Sequence, residues 1–457
     1  MTAKTSFKTR LGFAAGEFSS SIFFTITSFW LMIFLTDEVR LSAALAGTAL
    51  LVGKIWDAVI DPFIGHFSDR TRSRWGRRRP YLLYFSIPFA IAFVIMFINP
   101  GIEAQAGKFL WVMLIYMLLC TVYSFTNIPY NALLPEMTDD YNERTSISGF
   151  KQMFAVLGTL LGAGAALPLM NLFATRTMGF TGMAAIFAVL IVVSLLVTFF
   201  SVHERTLDVK PVTDKIWNSL KDVFANRPYM LLLASWFTNS TAVAVAESML
   251  VYYYKYIFQA EAAVTLAMIT LLVVTIASIP FWVWLAKRLS KNIAYIIGMA
   301  FWAVVQILIF TIQPGQVSYI LILAVAAGIS VSTAHVLPDS IFPDVIEWDE
   351  LRTGRRQEGI YYGVKNFIRK LTGALAIFIA LQVLGWVGYQ SPPEGATFFV
   401  QSPATLTAIR LLIGPLGAVL LLSAIAIAWF YPLTREKHGR IRRLLAHRRK
   451  KAEDKKR

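Results

Sequence analysis

The sequence contains little charge and almost no cysteine. Only 15% of its 457 residues are charged, whereas 56% are hydrophobic, and the mean hydropathy is +0.59. Soluble domains carry about 25% charged residues, so this composition argues against a soluble protein. The single cysteine, Cys120, excludes a disulfide framework. The five histidines are scattered along the chain and form no metal-binding spacing.

Several catalytic motifs are also absent from the sequence. It has no Gly-x-Ser-x-Gly elbow, no His-Glu-x-x-His helix and no Walker loop. A membrane enzyme acting on lipid would need such a nucleophile or metal set, and an ATP-driven pump in one chain would need the Walker loop. We therefore expect neither enzymatic activity nor a cofactor.

Long apolar runs are what the sequence does contain. Twelve of them approach or exceed the spanning length of about 20 residues. They predict an all-α membrane protein with twelve transmembrane helices in two pseudo-symmetric halves. The runs cover 11–36, 43–67, 80–99, 108–134, 147–172, 179–201, 229–257, 264–286, 292–312, 317–343, 359–388 and 406–431.

Positive charge is concentrated in alternate loops and in the C-terminal tail. Residues 434–457 contain twelve Lys or Arg against three acids, within a net charge of +16. The positive-inside rule then places both termini on the cytoplasmic side of the membrane. We expect this membrane to be a bacterial inner membrane. The tail could alternatively bind anionic lipid; we expect membrane lipids as partners, and no nucleic acid.

The two halves resemble each other weakly at matching places. Residues 61–70 align with 279–288, and 128–146 align with 337–354. Parallel six-helix repeats are typical of transporters that bind their ligand near the bilayer midplane. The predicted division of the chain is an N-terminal half (1–201), a central cytoplasmic loop (202–228), a C-terminal half (229–433) and a basic tail (434–457).

Two acids stand inside the second apolar run, and the repeat does not preserve them. Asp57 and Asp61 are four residues apart and share one helix face. Adjacent carboxylates in a membrane repel each other, so the pair binds either a proton or a hard monovalent cation. A structural salt bridge with Lys54 or Lys370 is the remaining interpretation.

Further polar residues in the apolar runs are candidates for a ligand cavity. Glu17 could line that cavity, cap its helix or pack between helices. Glu247 could contact substrate or pair with a lysine. The aromatic run "YYYKY" (252–256) is expected to form a membrane-interface belt. The remaining polar candidates are Ser124, Asn127, Asn131, Gln152, Lys365 and Lys370.

Arginines dominate the loop after the second apolar run. This stretch, 70–79, contains six of them directly after Asp69. The positive-inside rule explains their sign, whereas their ordered pattern suggests a charge-paired latch that breaks when the halves move. The predicted cytoplasmic gate consists of Asp69, Arg70, Arg74, Arg144 and Arg352.

With these residues placed, the chain resembles the major facilitator superfamily, and more closely its glycoside–pentoside–hexuronide:cation symporters, the melibiose permease family. The resemblance rests on three stretches and covers most of the chain. They are "WDAVIDPFIGHFSDRTRSRWGRRRPY" (56–81), "NIPYNALLPEMTDDYNERTSISGFKQ" (127–152) and "LPDSIFPDVIEWDELRTGRRQEGIYYGVKNFIRKLTGAL" (337–375).

The resemblance implies cation-coupled uptake by alternating access. It assigns cation binding to Asp57 and Asp61, with Ser124 as the completing hydroxyl. Lys54 and Lys370 match the family's charge network. The predicted cation set also includes Asn127, and the coupling ion is Na⁺, or alternatively H⁺ or Li⁺.

The family's sugar-binding positions differ in this chain. Ser21, Asn127, Asn131 and Gln152 stand where the melibiose permease has charged or stacking groups. Melibiose itself is therefore doubtful as a substrate, although another glycoside, a pentoside or a uronide would still suit the site. The predicted substrate set is Glu17, Ser21, Asn127, Asn131, Gln152, Glu247 and Lys365.

The leading functional prediction is a monomeric symporter that imports a small sugar, glycoside or uronide with a cation. The wider family includes a sodium-dependent lysophosphatidylcholine transporter. A lysophospholipid symporter is therefore the second interpretation, and a non-transporting membrane sensor is the third.

Overall fold

The computed structural model describes residues 6–138, 141–204, 221, 223–259, 263–312, 317–354, 358–393, 399–433 and 435–454. Every regular element within these ranges is helical. Eleven helical spans in them are long and apolar enough to cross a membrane. A twelfth results when the bent pair Phe7–Phe29 and Leu31–Glu38, with a 48° break, counts as one span. The predicted all-α membrane architecture is confirmed.

The helices are numbered in chain order. The earlier ones are α1 (Phe7–Ala15), α2 (Glu17–Phe29), α3 (Leu31–Ile33), α4 (Ala43–Arg70), α5 (Arg79–Met96), α6 (Gln105–Met137), α7 (Tyr141–Met170) and α8 (Arg176–Ser201). The later ones are α9 (Arg227–Tyr252), α10 (Ala263–Arg288), α11 (Lys291–Phe310), α12 (Val317–Thr353), α13 (Glu358–Trp386), α14 (Pro403–Leu411), α15 (Gly417–Trp429) and α16 (Arg435–Asp454).

Three short π-helical segments adjoin these α-helices: π1 (Phe34–Glu38), π2 (Tyr253–Ile257) and π3 (Leu412–Leu416). In π1 the amide of Val39 donates to the carbonyl of Phe34 at 3.0 Å, five residues earlier. Such wide turns are rare and often accompany functional positions, because they turn side chains off the regular helical face. Here π1 and π2 end the first helix of each predicted half.

The first compact unit comprises the described residues of Met1–Lys210, Glu247–Ile269 and Ile377–Ile409. Gly53 of α4 allows a close approach to α6, because a Cβ there would lie 2.4 Å from the Tyr116 ring. This approach brings the helix that carries the two acids against the helix that carries Ser124.

The second compact unit comprises the described residues of Pro211–Ala246, Thr270–Ala376 and Arg410–Arg457. Its core includes Trp236 of α9, Phe342 of α12 and Tyr361 of α13, all at most 6% exposed. Asn226 fixes the start of α9, because its side chain accepts from the Tyr229 amide at 3.1 Å. The predicted four-part division of the chain stays a prediction, since most of the 202–228 segment lies outside the described residues.

Candidate cation and substrate site

The two acids of α4 meet the hydroxyl of α6. Ser124 Oγ lies 2.9 Å from Asp57 Oδ1 and 2.7 Å from Asp61 Oδ1. Asp57 is 1% exposed and Asp61 is half-buried. The i, i+4 spacing places both carboxylates on the same side of α4, and the approach at Gly53 supplies the partner. The structure thus brings together three of the four residues that were predicted to bind the cation; the fourth, Asn127, contacts Ser20 and Asn131 instead.

A single serine hydroxyl cannot donate to two carboxylates at once, because it carries one hydrogen and two lone pairs. Both contacts are nevertheless within hydrogen-bonding distance. Two carboxylate oxygens and one hydroxyl oxygen thus converge in a small volume. Converging oxygens of this kind suit a proton or a small cation.

Lys54 lies beside this cluster but makes only a long contact with it. Its Nζ is 3.8 Å from Asp57 Oδ2, near the limit of an ion pair. The same ammonium lies 5.7 to 5.8 Å from the ring centres of Phe23, Phe24 and Tyr116. These aromatic faces share the stabilisation of the lysine charge. The lysine charge is thus shared between Asp57 and these aromatic rings.

A chain of polar side chains continues from the cation cluster across α2, α6 and α7. Ser20 donates to Asn127 Oδ1 at 3.2 Å, and Asn131 donates to the same oxygen at 2.9 Å. Lys151 then donates to Asn131 Oδ1 at 2.5 Å and pairs with Glu17 at 3.3 Å. The predicted substrate residues Glu17 of α2 and Asn131 of α6 are thus linked through Lys151 of α7.

Ser20 and Lys151 are the members of this chain that the sequence interpretation missed. It had selected the neighbouring Gln152, which is exposed, whereas Lys151 reaches the amide of Asn131. The candidate substrate site therefore carries a Glu17–Lys151 ion pair. Ser21 is buried at the contact with Gly158 of α7.

The other predicted substrate and charge-network residues lie on α9 and α13. Glu247 is half-buried in α9 and belongs to the first unit. Lys370 is half-buried and Lys365 is buried, and both belong to the second unit. The roles of all three stay predictions.

The predicted cytoplasmic gate is described only in part. Arg70 is exposed, and Arg74 stacks 4.3 Å above the Trp75 ring. Arg352 pairs with Asp349 at 3.0 Å, one helical turn earlier. The side chains of the other two members, Asp69 and Arg144, lie outside what the structure describes. The gate stays a prediction.

A different acid, Glu204, holds the backbone of the later part of this loop. The carboxylate of Glu204 accepts from the backbone amides of Arg77, Arg78 and Arg79, the last two at 2.8 and 2.5 Å. Gly76 precedes them with φ +106°, and a Cβ there would lie 2.6 Å from the Glu204 carboxyl. Only glycine suits both requirements, so this part of the pattern ties the loop to the end of α8.

A second buried acid, Asp37 of π1, lies in a cluster that the sequence analysis missed. Its carboxylate forms an ion pair with Lys255 of π2, both side chains being at most 3% exposed. Tyr256 donates to it at 2.7 Å, Thr36 donates at 3.0 Å, and Tyr389 donates as well.

The "YYYKY" run was expected to form an interface belt. Its five residues, 252–256, are instead 0 to 4% exposed. They are buried in the first unit, where the Lys255 ammonium and the Tyr256 hydroxyl contact Asp37. Clustered aromatic residues mark both interface belts and cores, so the run alone could not distinguish them.

Burial in this cluster raises the pKa of Tyr389, and the negative charge of Asp37 raises it further. Tyr389 follows the last turn of α13 and lies outside the membrane-spanning segments. Its hydroxyl therefore remains protonated at neutral pH and continues to donate to the carboxylate.

Comparisons with known proteins agree with this architecture. An uncharacterized symporter of Synechocystis sp. is 31% identical over 97% of both chains. A glucuronide carrier protein homolog of Escherichia coli is 28% identical over 96% of both chains. The sodium-dependent lysophosphatidylcholine symporter 1-A of Danio rerio is 27% identical over 93% of this chain and 85% of its own.

The fold itself is shared with solved transporter structures. A bacterial homolog of the human lysosomal transporter Spinster has a TM-score of 0.65 at 13% identity, covering 93% of this chain and 95% of its own. The family described as MFS/sugar transport protein matches residues 12–435. The chain belongs to this MFS/sugar transport protein family.

Proposed function

We propose that the chain imports a sugar, glycoside or uronide together with a cation, by alternating access across a bacterial inner membrane. The observation that carries this proposal is the contact of one hydroxyl, Ser124, with two carboxylates, Asp57 and Asp61. Such a cluster is stable in a membrane when a mobile positive charge neutralises it. That the relatives are named symporters supports cation coupling.

Na⁺ is the proposed coupling ion, and H⁺ and Li⁺ are the alternatives. The three oxygens of the cluster are hard ligands that suit such ions. Pro62 follows Asp61 and has no amide hydrogen, so the carbonyl of Ala58 lacks its usual helical donor. That carbonyl is available as a further oxygen ligand for the ion.

The polar chain from Ser20 to Glu17 is the proposed substrate contact in the first unit. It begins at Asn127, which lies one helical turn from Ser124 on α6. A cation that neutralises the acid pair removes negative charge close to this chain and so raises the affinity for the substrate. By thermodynamic reciprocity, bound substrate then tightens cation binding by the same factor.

The cytoplasmic location of both termini and of the arginine loop is part of the proposal. It is supported by the alternation of basic and neutral loops. In this orientation the arginine loop is available to act as a gate on the cytoplasmic side.

A thermal-stability screen of the purified protein tests the function directly. Na⁺, Li⁺ and pH would be crossed with glycosides, pentoses, uronates and lysophosphatidylcholine, because a ligand that binds the folded state raises the melting temperature. We expect a cation-dependent shift with at least one sugar or uronide. A shift with lysophosphatidylcholine and with no sugar would favour the lysophospholipid symporter.

Uptake into proteoliposomes separates a carrier from a sensor. The compound that gives the largest shift would be supplied with and without an inward cation gradient. A symporter accumulates it above the external concentration only with the gradient, whereas a non-transporting sensor of the same fold does not accumulate it.

A further inference from the structure

An ion pair in the second unit lies inside an aromatic cage. Lys365 of α13 pairs with Asp339 of α12. The lysine ammonium lies 4.4 Å from the ring centre of Phe342 and 5.4 Å from that of Trp236. Tyr362 contributes a third ring centre at 5.9 Å. Because Phe342 and Trp236 belong to the core of this unit, the position of the ammonium is fixed by packing.

The two partners of this pair differ in exposure. The Lys365 side chain is 11% exposed, whereas that of Asp339 is 63% exposed. Asp339 also lies within the membrane-spanning segment Leu321–Thr353. An ionised carboxylate exposed to hydrocarbon at that depth would be strongly unfavourable. We therefore take the exposed side of Asp339 to face water rather than lipid.

Another ion pair of the same unit has the opposite arrangement. In the Lys291–Asp344 pair the lysine is 41% exposed and the acid is 16% exposed. An incoming anion cannot replace Asp344, because that carboxylate would then be left poorly hydrated. Asp339 keeps most of its contact with water, so it can leave Lys365 without a large desolvation penalty. A buried cation with an exposed counter-ion is thus the arrangement that permits anion exchange.

We propose that Asp339 is an internal competitor for Lys365, and that a carboxylate carried by the substrate displaces it. The pair would thereby select uronides over neutral glycosides. This inference rests on the proposed function and narrows its substrate class. Lysine presents a compact point charge without the planar fork of arginine, which suits a single carboxylate. The aromatic cage holds the ammonium in place while the counter-ion is exchanged.

The test compares two probes that differ only at one sugar carbon: phenyl β-glucuronide carries a carboxylate where phenyl β-glucoside carries a hydroxymethyl group. Their affinities would be measured by titration calorimetry on the purified full-length protein in saturating Na⁺. Lysophosphatidylcholine would be the third probe. The variants are Asp339→Asn, Lys365→Met, Lys365→Arg and, as the matched control, Asp344→Asn.

We expect the wild-type protein to prefer the glucuronide. Asp339→Asn should raise the glucuronide-to-glucoside affinity ratio about fivefold, as expected for loss of a largely exposed competing pair. Lys365→Met should bring the ratio close to one, and Lys365→Arg should retain the preference. Asp344→Asn should leave the ratio unchanged.

Several outcomes would overturn the inference. A ratio that is unchanged or lowered in folded Asp339→Asn would do so, and Asp339 is exposed enough for that variant to fold even where Lys365→Met does not. Selection of lysophosphatidylcholine over both sugars would also contradict it. Binding of the glucoside without any preference would refute the inference but leave the proposed function intact, whereas binding of neither sugar, together with no response in the wider screen, would refute both.

Discussion

Asp37 and the Asp57–Asp61 pair are acids of the same unit, but their surroundings differ. The single carboxylate of Asp37 has an ammonium partner and accepts hydrogen bonds from hydroxyl groups at both of its oxygens. The two carboxylates at Asp57 and Asp61 converge on one hydroxyl, with Lys54 3.8 Å from the first. The first cluster is balanced by fixed groups, whereas the second has a geometry that suits a mobile cation.

The position of Asp37 in the repeat sharpens this contrast. Asp37 and Lys255 are 218 positions apart, and the same offset separates Asp57 from Thr275 in the aligned halves (275 − 57 = 218). In the predicted repeat Asp57 corresponds to the uncharged Thr275, whereas Asp37 has a lysine partner at the same offset.

The largest expected effect comes from neutralising the acid pair. Asp57→Asn or Asp61→Asn removes one negative charge and one anionic ligand, so the cluster no longer needs a cation. We expect concentrative uptake to be lost completely in each variant. Substrate accumulation in right-side-out vesicles under an imposed cation gradient measures this.

Exchange of labelled for unlabelled substrate across the same vesicles is the control, since a folded carrier without coupling can still exchange. Accumulation against a gradient by both Asn variants would remove Asp57 and Asp61 from the coupling mechanism. It would also remove the distinction between these acids and Asp37.

The next effect concerns the Asp37–Lys255 ion pair. Asp37→Asn leaves Lys255 buried without its counter-ion, and breaking a buried ion pair costs about 3–5 kcal/mol. We expect a marked fall in the melting temperature, while Na⁺ still stabilises the protein because the cation cluster is intact. The charge-swapped double variant Asp37→Lys with Lys255→Asp should recover part of the lost stability.

A folded Asp37→Asn protein that no longer responds to Na⁺ would contradict this expectation. The two acid clusters would then act as one coupled system, and the Asp37–Lys255 pair would belong to the cation mechanism.

A smaller effect is expected at the shared hydroxyl. Ser124→Ala removes one oxygen from the cluster but keeps both charges. Hydrogen bonds to charged groups contribute about 1.5–3 kcal/mol, so a loss of about tenfold or more in Na⁺ affinity is expected. Na⁺-dependent melting shifts over a concentration series measure it. Ser124→Thr retains the oxygen and should stay close to the wild type; equal affinity in the Ala variant would exclude the hydroxyl as a ligand.

The architecture and the cation cluster were predictable from local patterns. Twelve apolar runs gave the membrane helices, because spanning length is a property of the local sequence. Asp57 and Asp61 could be paired because an i, i+4 spacing fixes a shared helix face. The family resemblance, rather than spacing, added Ser124 from another helix.

The missed residues depend on contacts between distant segments. Lys151 was passed over for its neighbour, and one residue along a helix rotates a side chain by about 100°. Glu204 lies 125 to 127 positions from the loop amides that it binds. Lys255 looked like part of an interface belt, since only the distant Asp37 reveals that it is buried. Sequence patterns predict faces of helices, and tertiary packing selects the partners of those faces.

The smallest expected effect separates one donor of Asp37 from the others. Tyr389→Phe removes a single hydrogen bond to a charged group, while Lys255 and Tyr256 remain, so a loss of about 1.5 kcal/mol in the free energy of unfolding is expected. Because the pKa of Tyr389 in the folded protein is raised above its ordinary value of about 10, this contribution is complete below about pH 10 and decreases only above it. The stability difference between wild type and variant should therefore stay constant between about pH 6 and 9.

Tyr84→Phe is the matched control, since the Tyr84 side chain is 59% exposed. A difference that shrinks within this range would mean that Tyr389 ionises beside Asp37, and the cluster around Asp37 would then be sensitive to pH rather than held by fixed donors.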